Sequence, residues 1–251
     1  VASGGTRGEI TAVGGRPGHG KTTIVTNIVH NVTAPSRKLK VMVFNREMRN
    51  AALIEKLVVI NQHFRAKEMR KKQFTEKDIL KLEDIRESMK PRYKNLIMYD
   101  DIRDLDETMR EIKRHKPDVI IDDYIQLITV AGVSERRFQI ETIMNEYKWI
   151  AKSIDCHVIL VSQLSRGIES RVDPIPKGSD FAEGGTIEQV SEACMFVYRP
   201  FLFDHESASK YEANIIATKV RYGDPATYDV GFNGDKCMFY KTAIEAEAQD
   251  G

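Results

Sequence analysis

The sequence predicts an α/β domain with a mainly parallel sheet flanked by helices and an antiparallel extension at its C-terminal end. Two observations carry this. Apolar runs recur at residues 10–13, 40–44, 96–99, 119–121 and 158–161, separated by polar stretches of helical periodicity; that alternation belongs to parallel strands joined by crossover helices. Beyond Ala193 the runs tighten to 195–198, 214–218, 228–232 and 237–240, a spacing that suits antiparallel pairing of sequential strands.

The crossover helices are expected at 22–30, 51–62, 105–114 and 140–154, where apolar residues return every three and four positions. Residues 63–95 are charge-dense, with Arg70, Lys71 and Lys72 in a row, and read as a solvated insertion of one or two helices, since mixed-sign charge is ordinary on exposed helices. The small, acidic tail 243–251 is expected to fray. A length of 251 residues with 41% hydrophobic content suits a single domain over 1–251 with a substantial core.

Charged residues make up 30% of the chain yet sum to +1, so any contact with nucleic acid must come from local clusters rather than overall basicity. Cys156, Cys194 and Cys237 lack C-x-x-C spacing, and the first two lie in or beside core-like runs; buried thiols in a reducing compartment account for them. No apolar run approaches the roughly 20 residues that span a bilayer, and the N-terminus has no charged-then-apolar leader pattern. A cytoplasmic protein with no membrane partner is expected.

Between the first strand and the first helix lies Gly15-Arg16-Pro17-Gly18-His19-Gly20-Lys21-Thr22, which fits G-x-x-x-x-G-K-[ST] at every fixed position, with Thr23 following in the same first turn. Glycines let successive backbone N–H groups turn inward around phosphates, and the helix aims its partly positive N-terminus at the same charge. Lys21 would reach the β- and γ-phosphates of a nucleoside triphosphate, and Thr22 would ligate Mg²⁺.

Hydrolysis needs more. Val119-Ile120-Ile121-Asp122-Asp123 is an apolar strand ending in acid, the usual form of a Walker B element. Strand alternation sends the two aspartates to opposite faces, so these residues by themselves leave the choice between them open. Glu47 follows another strand and would stand at the same sheet edge, able to polarise water. Gln163 closes a third strand as a neutral group able to sense phosphate.

These residues resemble the C-terminal motor domain of DnaB-like hexameric replicative helicases, a RecA-like P-loop NTPase. The likeness runs from about Gly8 to about Tyr240. It is carried by the phosphate loop with its Arg-Pro, by Asn45-Arg46-Glu47-Met48, by Asp123-Tyr124-Ile125-Gln126-Leu127, by Val161-Ser162-Gln163-Leu164-Ser165-Arg166, by the segment 179–189, and by Lys219-Val220-Arg221-Tyr222-Gly223. The register of the third segment favours Asp123 over Asp122. The family is usually apolar at Asp122, and commonly has Arg where this chain has Ala182. A buried acid at position 122 would be costly unless protonated or paired.

The resemblance implies ATP and Mg²⁺ as cofactors, with Asp123 orienting the metal, Glu47 activating water and Gln163 sensing phosphate. Arg221 would be an arginine finger, with Lys219 beside it, entering the nucleotide site of a neighbouring subunit. It also implies a homo-hexamer that translocates on single-stranded DNA and opens a duplex fork, with primase and a helicase loader as partners. The loops 129–138 and 165–185 would track the strand, with backbone N–H groups near Glu183 and Gly185 as donors and charge from Arg136, Arg137, Arg166 and Lys177; Phe138 and Phe181 are their obvious aromatics. Two alternatives stand beside this reading: a RecA-like recombinase, and an ATP-dependent switch or loader that unwinds nothing.

Overall fold

The computed structural model describes residues 5–61, 64–182 and 185–250. They build a nine-stranded sheet between helical layers. The strands are β1 (Ile10–Gly15), β2 (Val41–Asn45), β3 (Leu96–Tyr99), β4 (Val119–Asp123), β5 (His157–Gln163), β6 (Ala193–Tyr198), β7 (Glu212–Val220), β8 (Ala226–Asn233) and β9 (Met238–Tyr240). Their spatial order is β3-β2-β4-β5-β1-β6-β7-β8-β9. From β3 to β6 all pairings are parallel; β7, β8 and β9 add on antiparallel. The tightly spaced C-terminal runs thus include one strand, β6, that belongs to the parallel half through its pairing with β1.

Helices α1 (Lys21–Val32), α2 (Asn50–Ile60), α5 (Leu105–His115) and α6 (Arg136–Ser153) lie within a few residues of the stretches their periodicity marked. Central parallel strands are buried on both faces, which is why they read as unbroken apolar runs. Alternate residues divide between two cores. Met42, Phe44, Ile120, Val158 and Leu160 pack with Met109 and Ile112 of α5 and Ile143, Met144 and Tyr147 of α6. Val41, Val43, Val119, Ile121 and Val161 pack with Val25 and Val29 of α1 and Leu53 and Leu57 of α2. This division decides which face each site residue serves.

Local signals fix the helix ends. Asp104 caps α5, its side chain accepting from the Glu107 N–H at 3.0 Å, and Lys113, Arg114 and His115 crowd the helix's negative end. The charged insertion forms α3 (Ala66–Lys71) and α4 (Glu76–Tyr93), the latter started by a Thr75–Asp78 capping box. Ile85 is the one buried residue of α4, so the helix lies on the domain as a largely solvated strut. No helix among the described residues is long and apolar enough to cross a membrane.

The tail departs from expectation. Instead of fraying, it forms, after the short α7 (Thr186–Val190), the helix α8 (Ala243–Glu247) and a closing 3-10 turn. Ala246 is fully buried, the Asn233 side-chain amide donates to the Ala246 carbonyl at 2.9 Å, and Tyr211 donates to Asp250. Close approach is possible because β8 offers Gly231 there: a Cβ would stand 2.0 Å from the Thr242 carbonyl oxygen. A small side chain packed on a glycine was the signal that composition concealed.

Candidate functional site

The phosphate loop leaves the C-terminal end of β1 and turns into α1. Gly18 and Gly20 take φ of +81° and +101°, a region costly to residues with a Cβ. A Cβ at Gly20 would also press within 3.2 Å of the Phe232 and Phe239 rings. The loop is held from outside by charged and aromatic side chains. Arg16 donates to the Leu164 carbonyl at 2.9 Å and from Nε to Glu169 at 2.9 Å. His19 accepts from the Arg199 N–H at 3.0 Å and stacks on Tyr198 at 5.8 Å between ring centres, and Arg199 in turn donates to the Gly18 carbonyl at 3.2 Å. Burial, reinforced by Lys21, Arg199 and Arg16, pushes the His19 pKa down to about 4. Its imidazole is therefore neutral at physiological pH, as an acceptor Nδ1 requires.

Register brings the other candidates to the same edge. Gly15 pairs with Gln163, and Asn45 with Asp123. Lys21 is buried and its Nζ donates to the Arg16 carbonyl at 3.1 Å. Burial lowers its pKa, while Asp123 and Glu47 oppose that by raising it, so both carboxylates stand within electrostatic reach of the ammonium. Asp123 is 5% exposed and bonded to the Thr22 side chain, with Oδ1 buried and unpartnered. Burial and the neighbouring Glu47 push its pKa up to about 6. Glu47 is exposed at the mouth of the site. Gln163 is half-buried; its N–H donates to Gln126 Oε1 at 3.2 Å, and its side chain bonds the Tyr124 hydroxyl.

An orphaned, desolvated carboxylate oxygen beside a threonine hydroxyl and a glycine cradle is a poor resting arrangement and a good half-shell for a divalent cation. Among the described residues no group of three or more His, Cys, Asp or Glu could hold a metal. Mg²⁺ bound through one hydroxyl, one carboxylate, waters and phosphate oxygens requires none.

The choice between the two aspartates follows from the pleat. Asp123 continues the Val119 and Ile121 face, toward α1 and the phosphate loop. Asp122 continues the Ile120 face, away from it. There it meets a partner that sequence reasoning missed. Arg46 donates to Asp122 through Nε at 2.7 Å and Nη2 at 2.6 Å, with both side chains at most 1% exposed, and Tyr147 of α6 donates to the same carboxylate. Burial pushes the Arg46 pKa down, but the charge and hydrogen bonds of Asp122 more than reverse this. The one available signal was the acid itself, out of place in an apolar strand.

Lys219 and Arg221 are not brought to this edge. β7 runs antiparallel to β6, so Val220 pairs with Ala193, which pairs with Thr11 near the start of β1. Four residues of strand, about 13 Å, separate that level from Gly15. Lys219 Nζ donates to the Glu188 and Gln189 carbonyls at 2.6 and 3.2 Å. Arg221 donates to Glu192 at 3.1 Å while remaining 54% exposed. Glu192 also takes the Ile10 N–H at 2.9 Å and Lys148.

The candidate nucleic-acid residues divide. Arg137, Arg166, Lys177 and Gly185 are exposed. Arg136 starts α6 and donates to the Ile128 carbonyl at 3.0 Å and to Gln139, a use that fastens the loop rather than offering charge outward. Phe138 is 49% exposed, whereas Phe181 is buried against Phe196 and cannot serve as a stacking platform. Glu183 lies outside the described residues.

A glycine-rich loop joined at one edge of a mainly parallel sheet by Asp123 is the arrangement of the RecA-like ATPase fold. The chain belongs to the DnaB-like helicase C terminal domain family, whose model matches residues 1–241. It is 32% identical over 240 residues to the replicative DNA helicase DnaC of Bacillus subtilis, covering 92% of this chain and 52% of that protein. To the replicative DNA helicase DnaB of Geobacillus stearothermophilus it is 30% identical over 241 residues, again covering 92% and 52%. The chain thus spans about half the length of these relatives. Among solved structures, a DnaB-like replicative helicase described with its primase interactions superposes with a TM-score of 0.82 at 27% identity, covering 94% of this chain and 57% of that one. A separately solved ATPase domain gives 0.82 at 28% identity, covering 94% and 85%. A KaiC-like protein from Pyrococcus horikoshii, at TM-score 0.61 and 13% identity, shares the fold alone.

Proposed function

We propose that this chain is the ATP-hydrolysing motor of a replicative DNA helicase, working at sites completed between neighbouring copies. The observation that carries the reading is the division of parts between two sheet edges. Lys21, Thr22, Asp123, Glu47 and Gln163 gather at one, while Lys219 and Arg221 sit at the other, too far to serve their own phosphate loop.

In this reading Lys21 and the loop N–H groups bind the phosphates, and Thr22 and Asp123 hold Mg²⁺. The metal would supply charge neutralisation at the phosphates when bound. Glu47 takes the proton of the attacking water, Gln163 meets the γ-phosphate and relays its presence through Tyr124, and Arg221 of a neighbour leaves Glu192 to neutralise charge developing on the transferred group. An arginine finger of this kind is typically worth ~10³ to 10⁵ in rate.

The exposed Arg137, Arg166, Lys177 and Gly185 track single-stranded DNA through its phosphates, without base readout. A homo-hexamer on a cytoplasmic replication fork, with primase and a loader as partners, is the setting such a motor serves.

The test is ATP turnover per subunit across a protein dilution series, with and without single-stranded DNA. Turnover that climbs with concentration and again with DNA is expected. A rate indifferent to both, in protein shown to self-associate and to bind DNA, refutes the intersubunit motor and favours a switch protein.

A further inference from the structure

Arg46 and Asp122 form the most deeply buried ion pair among the described residues, and neither takes part in the proposed reaction. It sits one residue before Glu47 and one residue before Asp123. The Arg46 N–H donates to the Asp123 carbonyl at 2.8 Å, so backbone and side chain of one residue both fasten the end of β2 to the end of β4. The guanidinium is committed on every side: two bonds to Asp122, one to the Ile102 carbonyl at 2.8 Å and one to Thr108 Oγ1 at 3.1 Å. Thr108 belongs to α5, and Tyr147, the second partner of Asp122, to α6.

The pair is thus anchored to two helices on one face of the sheet. Glu47 follows Arg46 in the bend beyond β2 and Asp123 ends β4, and both carboxylates act electrostatically on Lys21. Apolar residues of similar volume often replace a buried ion pair without loss of stability, but they are indifferent to orientation, because hydrophobic contact has no direction. A guanidinium forked onto a carboxylate does have one.

We propose that Arg46 and Asp122 form a positioning clamp that sets where Glu47 stands relative to Asp123, and hence where the attacking water is held. This rests on the reading in which Glu47 activates that water. Misplacing a reacting group by about 1 Å can cost on the order of 10²-fold in rate without touching affinity. The clamp therefore acts on kcat and leaves nucleotide binding alone.

The experiment compares the whole chain with its R46K, R46M/D122L and E47Q variants. Four quantities are read: kcat and KM for ATP, the Kd of a fluorescent ATP analogue, the unfolding temperature, and deuterium uptake by the peptide covering residues 44–48 without nucleotide. The double variant carries no unpaired charge but strands the buried Tyr147 hydroxyl and the Ile102 carbonyl, so it is expected to fold with a lowered unfolding temperature and to bind the analogue within about threefold. Its kcat should fall at least tenfold at a KM within about threefold, and its 44–48 amides should exchange faster.

R46K keeps the charge but not the fork and should fall between the two. Should the double variant fail to fold, R46K decides alone: reduced kcat with intact binding supports the clamp. A folded double variant or an R46K protein with kcat within about twofold of wild type, alongside an inactive E47Q, overturns the clamp and leaves Glu47 in its role. Normal turnover by E47Q removes the Glu47 reading, and the clamp with it.

Discussion

Acidification should destabilise this protein through one phosphate-loop side chain. His19 has an ordinary pKa of 6.5 when unfolded and about 4 in the fold. Between those values the unfolded chain binds a proton that the folded one excludes, so the stability this residue contributes is complete above pH 6.5 and disappears as pH falls toward 4. At 1.36 kcal/mol per pKa unit, the ceiling is about 3 kcal/mol, and the portion lost between pH 7.5 and pH 5 is about 2 kcal/mol. No large discount for solvent applies, because His19 is only 3% exposed and ringed by Lys21, Arg16 and Arg199.

His30 and His157 are also held below their ordinary pKa by burial, so the wild-type protein will lose more than this in total. The His19→Asn variant isolates the single contribution, since its side-chain oxygen can still accept from the Arg199 N–H. Urea unfolding of both proteins at pH 7.5 and pH 5 gives the comparison. The wild type should lose about 2 kcal/mol more than the variant. Losses equal within about 0.5 kcal/mol would mean that His19 is not kept neutral by its surroundings, and the account of the loop's electrostatics would be wrong.

Other outcomes follow from the same geometry. Asp123→Asn should raise nucleotide-free stability at pH 8 by about 1–3 kcal/mol while abolishing Mg²⁺-dependent turnover. A carboxyl raised to about 6 destabilises the fold as pH climbs through that value, and an amide does not ionise; a lower unfolding temperature for the variant would refute this. Subunits carrying Arg221→Ala mixed with subunits carrying Lys21→Ala should recover part of the turnover that neither shows alone, and none recovered despite demonstrated co-assembly would count against action in trans. Gly231→Ala should release the C-terminal helix, seen as faster proteolysis after residue 241, because its Cβ would collide with the Thr242 carbonyl; unchanged proteolysis would show that the contact yields cheaply.

Much of the site was legible because its signals are local. The phosphate loop is eight consecutive residues, and each parallel strand is a continuous apolar run whose end marks the functional edge. What escaped notice was non-local. Arg46 looks like a surface cation, and only the parallel register of β2 on β4, together with the side on which each pleat falls, turns it inward onto a carboxylate 76 positions away. Arg136 looked like outward charge for the same reason: its carbonyl partners lie on the loop behind it. Phe181 read as a possible platform until the sheet placed Phe196 against it. The tail misled through composition, since a run of small and acidic residues reads as weakly bound unless the glycine it packs on is known.

The reversal of chain direction at β7 makes each subunit a polar object. If Arg221 completes a neighbour's site as proposed, then with the phosphate-loop edge and the Arg221 edge on opposite sides, two copies related by a two-fold axis could not each serve the other. On that proposal productive contacts run head to tail, and such heterologous contacts either close or continue. A closed circle of n copies has n complete sites, whereas an open helical arc has n − 1, with an unserved phosphate loop at one end and an idle Arg221 at the other. A lone chain has none. Counting turnovers per bound nucleotide would therefore report whether the assembly is shut or gapped.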